Sequence, residues 1–180
     1  MKTDSDMEPP LSSPTIRLLP LSSAPHHFGA TRDLLEEYAQ SLQIDLKFQN
    51  FEEELLKLHK MYAHPYGQFL LAFVDDELAG CGAFRTLEDV DYANACEMKR
   101  LYVRKAFRRF GLGRQLAQSL MDEARRSGYS VMLLDTLTDM EAARNLYSSL
   151  GFEEIPPYYY NPIAGAHYLK AELESMVASY

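Results

Sequence analysis

Two glycines separated by one residue follow a pair of arginines in the segment Arg108-Arg109-Phe110-Gly111-Leu112-Gly113. A helical pattern begins at Gly111, and the first N–H groups of a helix lack intrahelical partners and lie at the positive end of its dipole. Glycine keeps side chains away from those N–H groups, and arginines add charge-assisted donors. The segment could therefore bind the phosphates of a ligand, with Arg114 as a third guanidinium. A Gly-x-Gly alone is equally compatible with an ordinary tight turn.

The charge pattern around this segment favours an anionic ligand. Between Lys99 and Arg126 there are nine basic and two acidic residues, a local balance of +7, whereas the whole chain has a net charge of −8. A solvated, charged helix face could produce the same cluster by chance. Its position around the glycine pair favours the interpretation as a phosphate site.

The elements that would position this loop alternate between strands and helices. Apolar residues at three-to-four-residue spacing indicate amphipathic helices, compact apolar runs indicate strands, and glycines at 128 and 151 mark two helix ends. In chain order these patterns predict a strand at 15–19, helices at 30–43 and 51–61, strands at 69–74, 78–84 and 97–103, a helix at 111–127, a strand at 131–135, a helix at 140–150, and strands at 152–155 and 166–173. The order predicts an α/β (α+β) fold, with about four helices flanking a mostly antiparallel sheet of about six to seven strands and one parallel crossover.

The amino-acid composition is typical of one acidic globular domain. A length of 180 residues with 47% hydrophobic and 24% charged residues is typical of a folded single-domain chain. The isoelectric point near 5.1 argues against nucleic acid and an anionic membrane as partners. Residues 1–14 are polar and rich in proline and serine, so we expect a disordered segment and neither a secretory signal nor a membrane span. A single domain over residues 15–180 and a cytoplasmic location are the corresponding expectations.

The cysteines and histidines indicate no metal site. Cys81 and Cys96 lie in apolar stretches, and their spacing is not that of metal ligands or of a disulfide-rich scaffold. We therefore expect both thiols to be reduced and packed. The histidines have no metal-ligand spacing with other candidates, so no metal is implied.

Three motifs in this order resemble those of the GNAT (GCN5-related N-acetyltransferase) superfamily. The segment 108–113 resembles its acetyl-CoA loop, Arg/Gln-x-x-Gly-x-Gly/Ala. The segment 97–103 looks like its fourth strand, and 146–152 is similar to its Leu-Tyr-x-x-x-Gly-Phe signature. The Leu-Asp-Thr-Leu at 134–137 and the Pro-Tyr-Tyr-Tyr-Asn-Pro at 157–162 further resemble one branch of bacterial and fungal members. The acceptors of that branch are mostly unassigned.

The resemblance implies an N-acetyltransferase with acetyl-CoA as acyl donor and no metal. In this family the fourth and fifth strands splay apart, and the pantetheine arm of the cofactor bonds to exposed strand backbone, here with the Leu101 N–H polarising the thioester carbonyl. Two departures are Arg109, where many members have glycine, and Met140, where many have an asparagine that contacts the cofactor. The implied cofactor-binding residues are Leu101, Tyr102, Val103, Arg108, Arg109, Phe110, Gly111, Leu112, Gly113 and Arg114.

Acetyl transfer to an amine also requires groups that move protons. An alkylamine has a pKa near 10.4, so making the neutral nucleophile at pH 7 costs about 4.6 kcal/mol. Glu97 has the spacing of a general base that several family members carry, although a surface glutamate would look the same. Tyr147, in the signature motif, could protonate the departing thiolate, or it could simply pack its ring between helix and sheet.

The acceptor is the least specified part of the prediction. In the family, the first two helices and the last hairpin shape the acceptor pocket, which makes Tyr62, Tyr66, Tyr158 and Tyr159 candidate substrate-binding residues. Such a tyrosine cluster is equally compatible with a packed loop. The leading expectation is the amine of a small molecule such as an amino acid, a polyamine or an antibiotic. The alternatives are a protein N-terminus or lysine as acceptor, or a catalytically silent acyl-CoA sensor, and a homodimer is the assembly considered.

Overall fold

The computed structural model describes residues 12–174, so the predicted disorder of residues 1–14 falls almost wholly outside the described part. Seven strands and four α-helices in the described residues confirm the predicted fold class and element order. The elements are β1 (Ile16–Pro20), α1 (Phe28–Leu42), α2 (Phe51–Met61), β2 (Gln68–Val74), β3 (Glu77–Thr86), β4 (Ala95–Val103), α3 (Leu112–Arg126), β5 (Val131–Leu137), α4 (Glu141–Ser149), β6 (Glu153–Ile155) and β7 (Ala166–Glu172).

All seven strands form one sheet in the order β1-β2-β3-β4-β5-β7-β6. β4 and β5 pair in parallel, connected by the crossover helix α3, and the other neighbouring strands pair antiparallel. The predicted single parallel crossover is therefore confirmed. The last strand of the described residues, β7, lies between β5 and β6, so β6 is an edge strand, as β1 is, and pairs with β7 alone.

Hydrophobic layers cover both faces of the sheet. α3 packs its leucine face, including Leu116 and Leu120, on one side, and α1 and α2 bury Leu34 and Leu58 on the other. The two cysteines are buried and free, as predicted, and burial raises the pKa of the Cys81 thiol to about 12. In residues 12–174 none of the helices is long and apolar enough to cross a membrane.

The sheet opens between β4 and β5. Their parallel pairing covers three residue pairs, Ala95 with Val131 through Glu97 with Leu133, and then stops. Beyond that point a bulge interrupts the pairing of β4 with β3, and Arg100 has a φ of 59°. The bulge changes the alternation of side chains, so Lys99 and Arg100 both extend to the α1/α2 side of the sheet. The C-terminal half of β4 is thus free of its parallel neighbour.

A buried ion pair holds the bulged residue. Arg100 donates from Nη2 to Glu54 Oε2 at 2.7 Å and from Nε to Oε1 at 3.0 Å, and both side chains are almost completely buried. The Tyr62 hydroxyl donates to Glu54 at 2.6 Å, and the Gln49 side-chain oxygen accepts from Arg100 Nη1 at 2.7 Å. Burial alone would favour the neutral acid, but the Arg100 guanidinium outweighs it and holds the pKa of Glu54 below its ordinary value. The pair ties α2 to the bulge.

Glu54→Gln should lower the free energy of unfolding by about 3–5 kcal/mol, because it leaves the buried Arg100 guanidinium without a counter-ion. Urea unfolding at pH 7 measures the change. The neighbouring Glu53→Gln is the matched control: Glu53 pairs with Lys57 at the exposed surface, where such pairs contribute about 0–1 kcal/mol.

The same pair gives a pH dependence. The folded-state pKa of Glu54 lies below its ordinary value of 4.5, so its contribution is complete above about pH 4.5 and is lost as the pH falls through the folded-state pKa. The difference between wild type and Glu54→Gln should therefore shrink in acid. Equal stabilities of the Glu54→Gln and Glu53→Gln variants at pH 7 would contradict the role given to the ion pair.

Candidate active site

Three adjoining recesses form a trough where β4 and β5 separate. The arginine groove, about 520 Å³, is lined by residues that include Leu101, Tyr102, Val103, Arg108, Gly113, Met140 and Leu146. The central chamber, about 60 Å³, is lined by residues that include Gln49, Lys99, Leu101, Asp135, Thr136, Met140, Tyr147 and Asn161. The tyrosine recess, about 360 Å³, is lined by residues that include Gln49, Arg85, Glu97, Lys99, Tyr158 and Tyr159. The groove and the recess each share lining residues with the chamber, so each of them adjoins it.

The arginine groove includes the N-terminus of α3. Gly111 precedes the helix with a φ of 70°, a conformation that glycine adopts without strain. The Gln115 N–H bonds to the Gly111 carbonyl at 3.2 Å, so the preceding N–H groups at the helix start lack intrahelical partners. A Cβ atom at Gly111 would meet nothing within 4 Å, and one at Gly113 would meet only Leu146 Cδ2, at 3.5 Å. Donor groups are thus presented to open space.

Four unpaired cations surround this helix start. Of the nine basic residues between 99 and 126, Lys99 lies 3.7 Å from a carboxylate oxygen, and four arginines bond to carboxylates at 2.6 to 3.1 Å. The remaining four have no carboxylate within 4 Å among residues 12–174: Lys105, Arg108, Arg109 and Arg114. Ion pairing therefore concentrates the excess positive charge at the α3 N-terminus, where an anion would be stabilised.

The predicted cofactor residues divide into two groups. Leu101, Tyr102, Val103, Arg108 and Gly113 line the groove, and Arg109, Phe110, Gly111, Leu112 and Arg114 lie beside it at the start of α3. The Leu112 side chain is fully buried in the core, which leaves only its backbone available. Arg109 stacks over the Phe110 ring at 4.6 Å, and Arg114 donates to Ser149 Oγ at 2.7 Å.

Tyr147 brings a phenol to the central chamber. Its ring packs edge-on against Phe152, and burial raises the pKa of its hydroxyl, which therefore keeps its proton at neutral pH. The hydroxyl bonds to no group in residues 12–174, whereas every completely buried side-chain N or O of the described residues has a partner. The hydroxyl is therefore accessible, and the chamber is the recess that Tyr147 lines.

Glu97 lies in the tyrosine recess, where β4 is still paired with β5. It is 4% exposed. Its Oε2 accepts from the Tyr158 hydroxyl at 2.7 Å, and its Oε1 lies 3.6 Å from Arg85 Nη2 and 3.7 Å from Lys99 Nζ. The structure thus places the two predicted catalytic side chains in different, adjoining recesses.

A second carboxylate, which the sequence analysis did not single out, lines the chamber itself. Asp135 Oδ2 accepts from the Tyr159 hydroxyl and, at 3.0 Å, from Asn161 Nδ2. Burial and the nearby carboxylate raise the pKa of Tyr159, so both partners of Asp135 are neutral donors. Among residues 12–174 Asp135 has no ion-pair partner within 4 Å, and no group of three or more His, Cys, Asp or Glu could hold a metal ion. The sequence analysis placed Asp135 at the end of a predicted apolar strand and in the Leu-Asp-Thr-Leu segment, but gave it no chemical role.

The four tyrosines predicted to bind substrate do not lie together. Tyr158 and Tyr159 line the tyrosine recess. Tyr62 is buried beside α2 and bonds to Glu54, while Tyr66 is 72% exposed and its carbonyl accepts from the Tyr129 hydroxyl at 2.7 Å. The structure brings neither Tyr62 nor Tyr66 to the trough.

Comparisons with known proteins agree on one family. The model of the acetyltransferase (GNAT) family matches residues 30–152. An uncharacterized N-acetyltransferase of Schizosaccharomyces pombe is 39% identical over 141 residues, which cover 78% of this chain and 85% of the relative. The structure of an acetyltransferase from Streptococcus agalactiae matches with a TM-score of 0.71 at 21% identity, covering 88% of this chain and 98% of that one. An acetyltransferase from Salmonella typhimurium, solved with its cofactor acetyl-CoA, matches with a TM-score of 0.61 at 22% identity, covering 94% and 99%.

Proposed function

The chain belongs to the acetyltransferase (GNAT) family, and we propose that it transfers the acetyl group of acetyl-CoA to the primary amine of a small molecule. That it is an N-acetyltransferase follows from the family; the donor and the class of acceptor are the proposal. The observation that carries it is the trough, which leads from a cationic helix N-terminus, past an accessible phenol, to a recess with carboxylates.

The arginine groove fits an acyl-CoA. Acetyl-CoA supplies a thioester whose carbonyl carbon the acceptor amine attacks. In the proposal, the N–H groups at the start of α3 and the Arg108 guanidinium hold the pyrophosphate, and the open space at Gly111 leaves room for it. The backbone of 101–103, where β4 has lost its parallel partner, holds the pantetheine arm. The Salmonella neighbour with bound acetyl-CoA supports this assignment.

Tyr147 is proposed as the acid that protonates the departing sulfur. A thiolate is costly to expel into a nearly dry site, and the phenol keeps its proton until charge develops on the sulfur. Its hydroxyl is accessible and carries no competing hydrogen bond in the described residues. An ammonium acceptor has three N–H protons. One stays on the amide nitrogen, one accounts for the proton on the released thiol, and one is taken by a base.

Two carboxylates are proposed to take that last proton. Asp135 lines the chamber together with Tyr147, so it can meet an ammonium directly. Glu97, which the family resemblance implies as a base, reaches the chamber only through the adjoining tyrosine recess. We therefore assign the larger effect to Asp135 and a smaller one to Glu97.

The size of the trough favours a small acceptor. A chamber of about 60 Å³ has room for a few water-sized groups, such as a primary amine beside a thioester, but not for a peptide chain. The body of the acceptor would occupy the tyrosine recess of about 360 Å³. A protein N-terminus or a lysine side chain is the alternative acceptor, and the experiments compare it with small amines.

Release of free thiol from acetyl-CoA across a panel of small amines and peptides tests the function, and Gly111→Asp tests its donor site. Wild type should turn over with small amines. Gly111→Asp should bind acetyl-CoA at least about 100-fold more weakly by calorimetry, because a carboxylate would stand where phosphate is proposed to bind. Gly111→Asn is the matched control, since it adds a similar volume without charge at the same positive φ.

Equal affinities of the folded Gly111→Asp variant and wild type would contradict the phosphate assignment. Tight acetyl-CoA binding by wild type with no transfer to any amine or peptide would instead support a silent sensor. Transfer to peptides alone would move the acceptor to the protein class.

Tyr147→Phe should lower kcat by about 10²- to 10⁴-fold with acetyl-CoA affinity nearly unchanged, because it keeps the ring and removes the acidic proton. Tyr129→Phe is the control: that hydroxyl bonds to the Tyr66 carbonyl outside the trough, and its loss should leave kcat within about threefold. A fully active Tyr147→Phe enzyme would remove Tyr147 from the mechanism.

Asp135→Asn should lower kcat/KM about 10²-fold at pH 7, and progressively less as the pH approaches about 10, where the amine loses its proton to solvent. Glu97→Gln should show the same trend with a smaller loss. The amide side chains can still accept the tyrosine hydroxyl bonds, so packing is retained. Profiles of kcat/KM against pH measure the loss in both variants. A larger loss in Glu97→Gln than in Asp135→Asn would identify Glu97 as the principal base.

A further inference from the structure

Lys99 is a buried ammonium without a hydrogen bond. Its side chain is 7% exposed, and its Nζ bonds to no group of residues 12–174. The nearest carboxylate oxygen, Glu97 Oε1, is 3.7 Å away and is shared with Arg85 at 3.6 Å. Every completely buried side-chain N or O in the described residues has a partner, so Nζ must be accessible to solvent. Lys99 lines both the central chamber and the tyrosine recess, and its ammonium is therefore available to a ligand there.

The charges around Lys99 do not balance. Two other cations, Arg85 and Arg100, lie near it, and two carboxylates, Glu54 and Glu97, oppose them, which leaves one excess positive charge. Glu54 is already bonded to Arg100 at 2.7 Å. The carboxylates of residues 88 and 89 lie at the exposed rim of the recess, where water screens them. Desolvation accordingly lowers the pKa of Lys99, as expected for a cation that lacks a dedicated counter-ion.

Asp135 provides a negative charge without a counter-ion in the wall of the same chamber. Its described partners, Tyr159 and Asn161, are neutral, and no cation of residues 12–174 lies within 4 Å of it. The chamber thus has one uncompensated positive group and one uncompensated negative group in its wall. A ligand that carries both an ammonium and a carboxylate would neutralise both at once.

We propose that the acceptor is a small amino acid, a primary amine that also carries a carboxylate, and that Lys99 binds this carboxylate while the amine faces Asp135. The inference rests on the proposed function and narrows its substrate class. An unpaired buried charge is costly, and a charge-assisted bond to a carboxylate would offset that cost only when the substrate is bound. A polyamine would instead bring a second cation next to Lys99 and Arg85.

The bulge brings a second cation, Arg100, to the side of the sheet that Lys99 occupies. With regular alternation Lys99 and Arg100 would extend to opposite faces, but the φ of 59° at Arg100 leaves both on the α1/α2 side. Arg100 is satisfied by Glu54 and Gln49, whereas Lys99 is left for the substrate.

The experiment compares amino acids with matched amines that lack the carboxylate. Standard amino acids, β-alanine and γ-aminobutyrate are each assayed beside the corresponding primary amide and decarboxylated amine, by thiol release with wild type and Lys99→Met. Wild type should have a kcat/KM at least about tenfold higher for its best amino acid than for the matched amine. Lys99→Met should lower kcat/KM for the amino acid by about 10- to 100-fold, mainly through KM, and leave the amine within about threefold.

Three controls keep the result specific. Lys57→Met removes an exposed lysine of α2 and should change neither preference nor rate. Lys99→Arg keeps the cation and should retain most of the preference for amino acids. Calorimetry of acetyl-CoA binding to Lys99→Met should match wild type, which also establishes that the variant is folded.

Two results would overturn the inference while leaving the proposed function intact. One is a wild-type enzyme that acetylates amino acids and their matched amines equally well or prefers polyamines. The other is a Lys99→Met variant that loses activity equally with both classes. If wild type binds acetyl-CoA but acetylates no amine, amino acid or peptide, the proposed function fails and the inference fails with it.

Discussion

The buried contact between Arg100 and Glu54 is the interaction on which the site depends. Arg100 has a positive φ at a bulge in the central strand, a conformation that non-glycine residues rarely adopt and that the surroundings must stabilise. The carboxylate of Glu54, the side-chain oxygen of Gln49 and the Phe51 ring at 5.2 Å surround its guanidinium, and the Tyr62 hydroxyl donates to Glu54. Because the bulge follows Lys99 directly and lies where β4 leaves β5, the ion pair couples the stability of α2 to the shape of the site.

The residues that line the donor side and the acceptor side of the trough are distributed differently along the sequence. The residues proposed to bind the donor come mostly from one stretch of chain, 101–114, and the groove that they border is also lined by α1 and by residues 137–146. The acceptor side is assembled from the segment before α2, β3, β4, β5 and the connection between β6 and β7. A donor site built from contiguous residues leaves a recognisable motif, whereas an acceptor site built from dispersed segments does not.

This difference decides how much of the protein could be predicted from its sequence. The element order, the helix over 51–61 and the parallel crossover followed from apolar periodicity and from glycines, which are local signals. The position of β7 between β5 and β6 did not follow from such signals, because strand order depends on pairing between distant segments. Tyr62 was predicted to bind substrate because of its type and its place in the chain, but its hydroxyl is used by Glu54. The sequence assigned no role to Asp135 or Lys99, because one derives its importance from two neutral partners and the other from a buried position without a counter-ion of its own.

The position of β7 has a consequence for the order in which the protein matures on the ribosome. β6 pairs only with β7, and the tyrosines of the recess lie in the connection between these two strands. During synthesis, the residues of β1 to β5 and of the arginine groove emerge before those of β7, and a domain generally folds as a unit. Until β7 docks beside β5, Tyr159 has no fixed position from which to meet Asp135. The side of the trough that Tyr159 lines is therefore complete only after β7 has emerged and paired with β5.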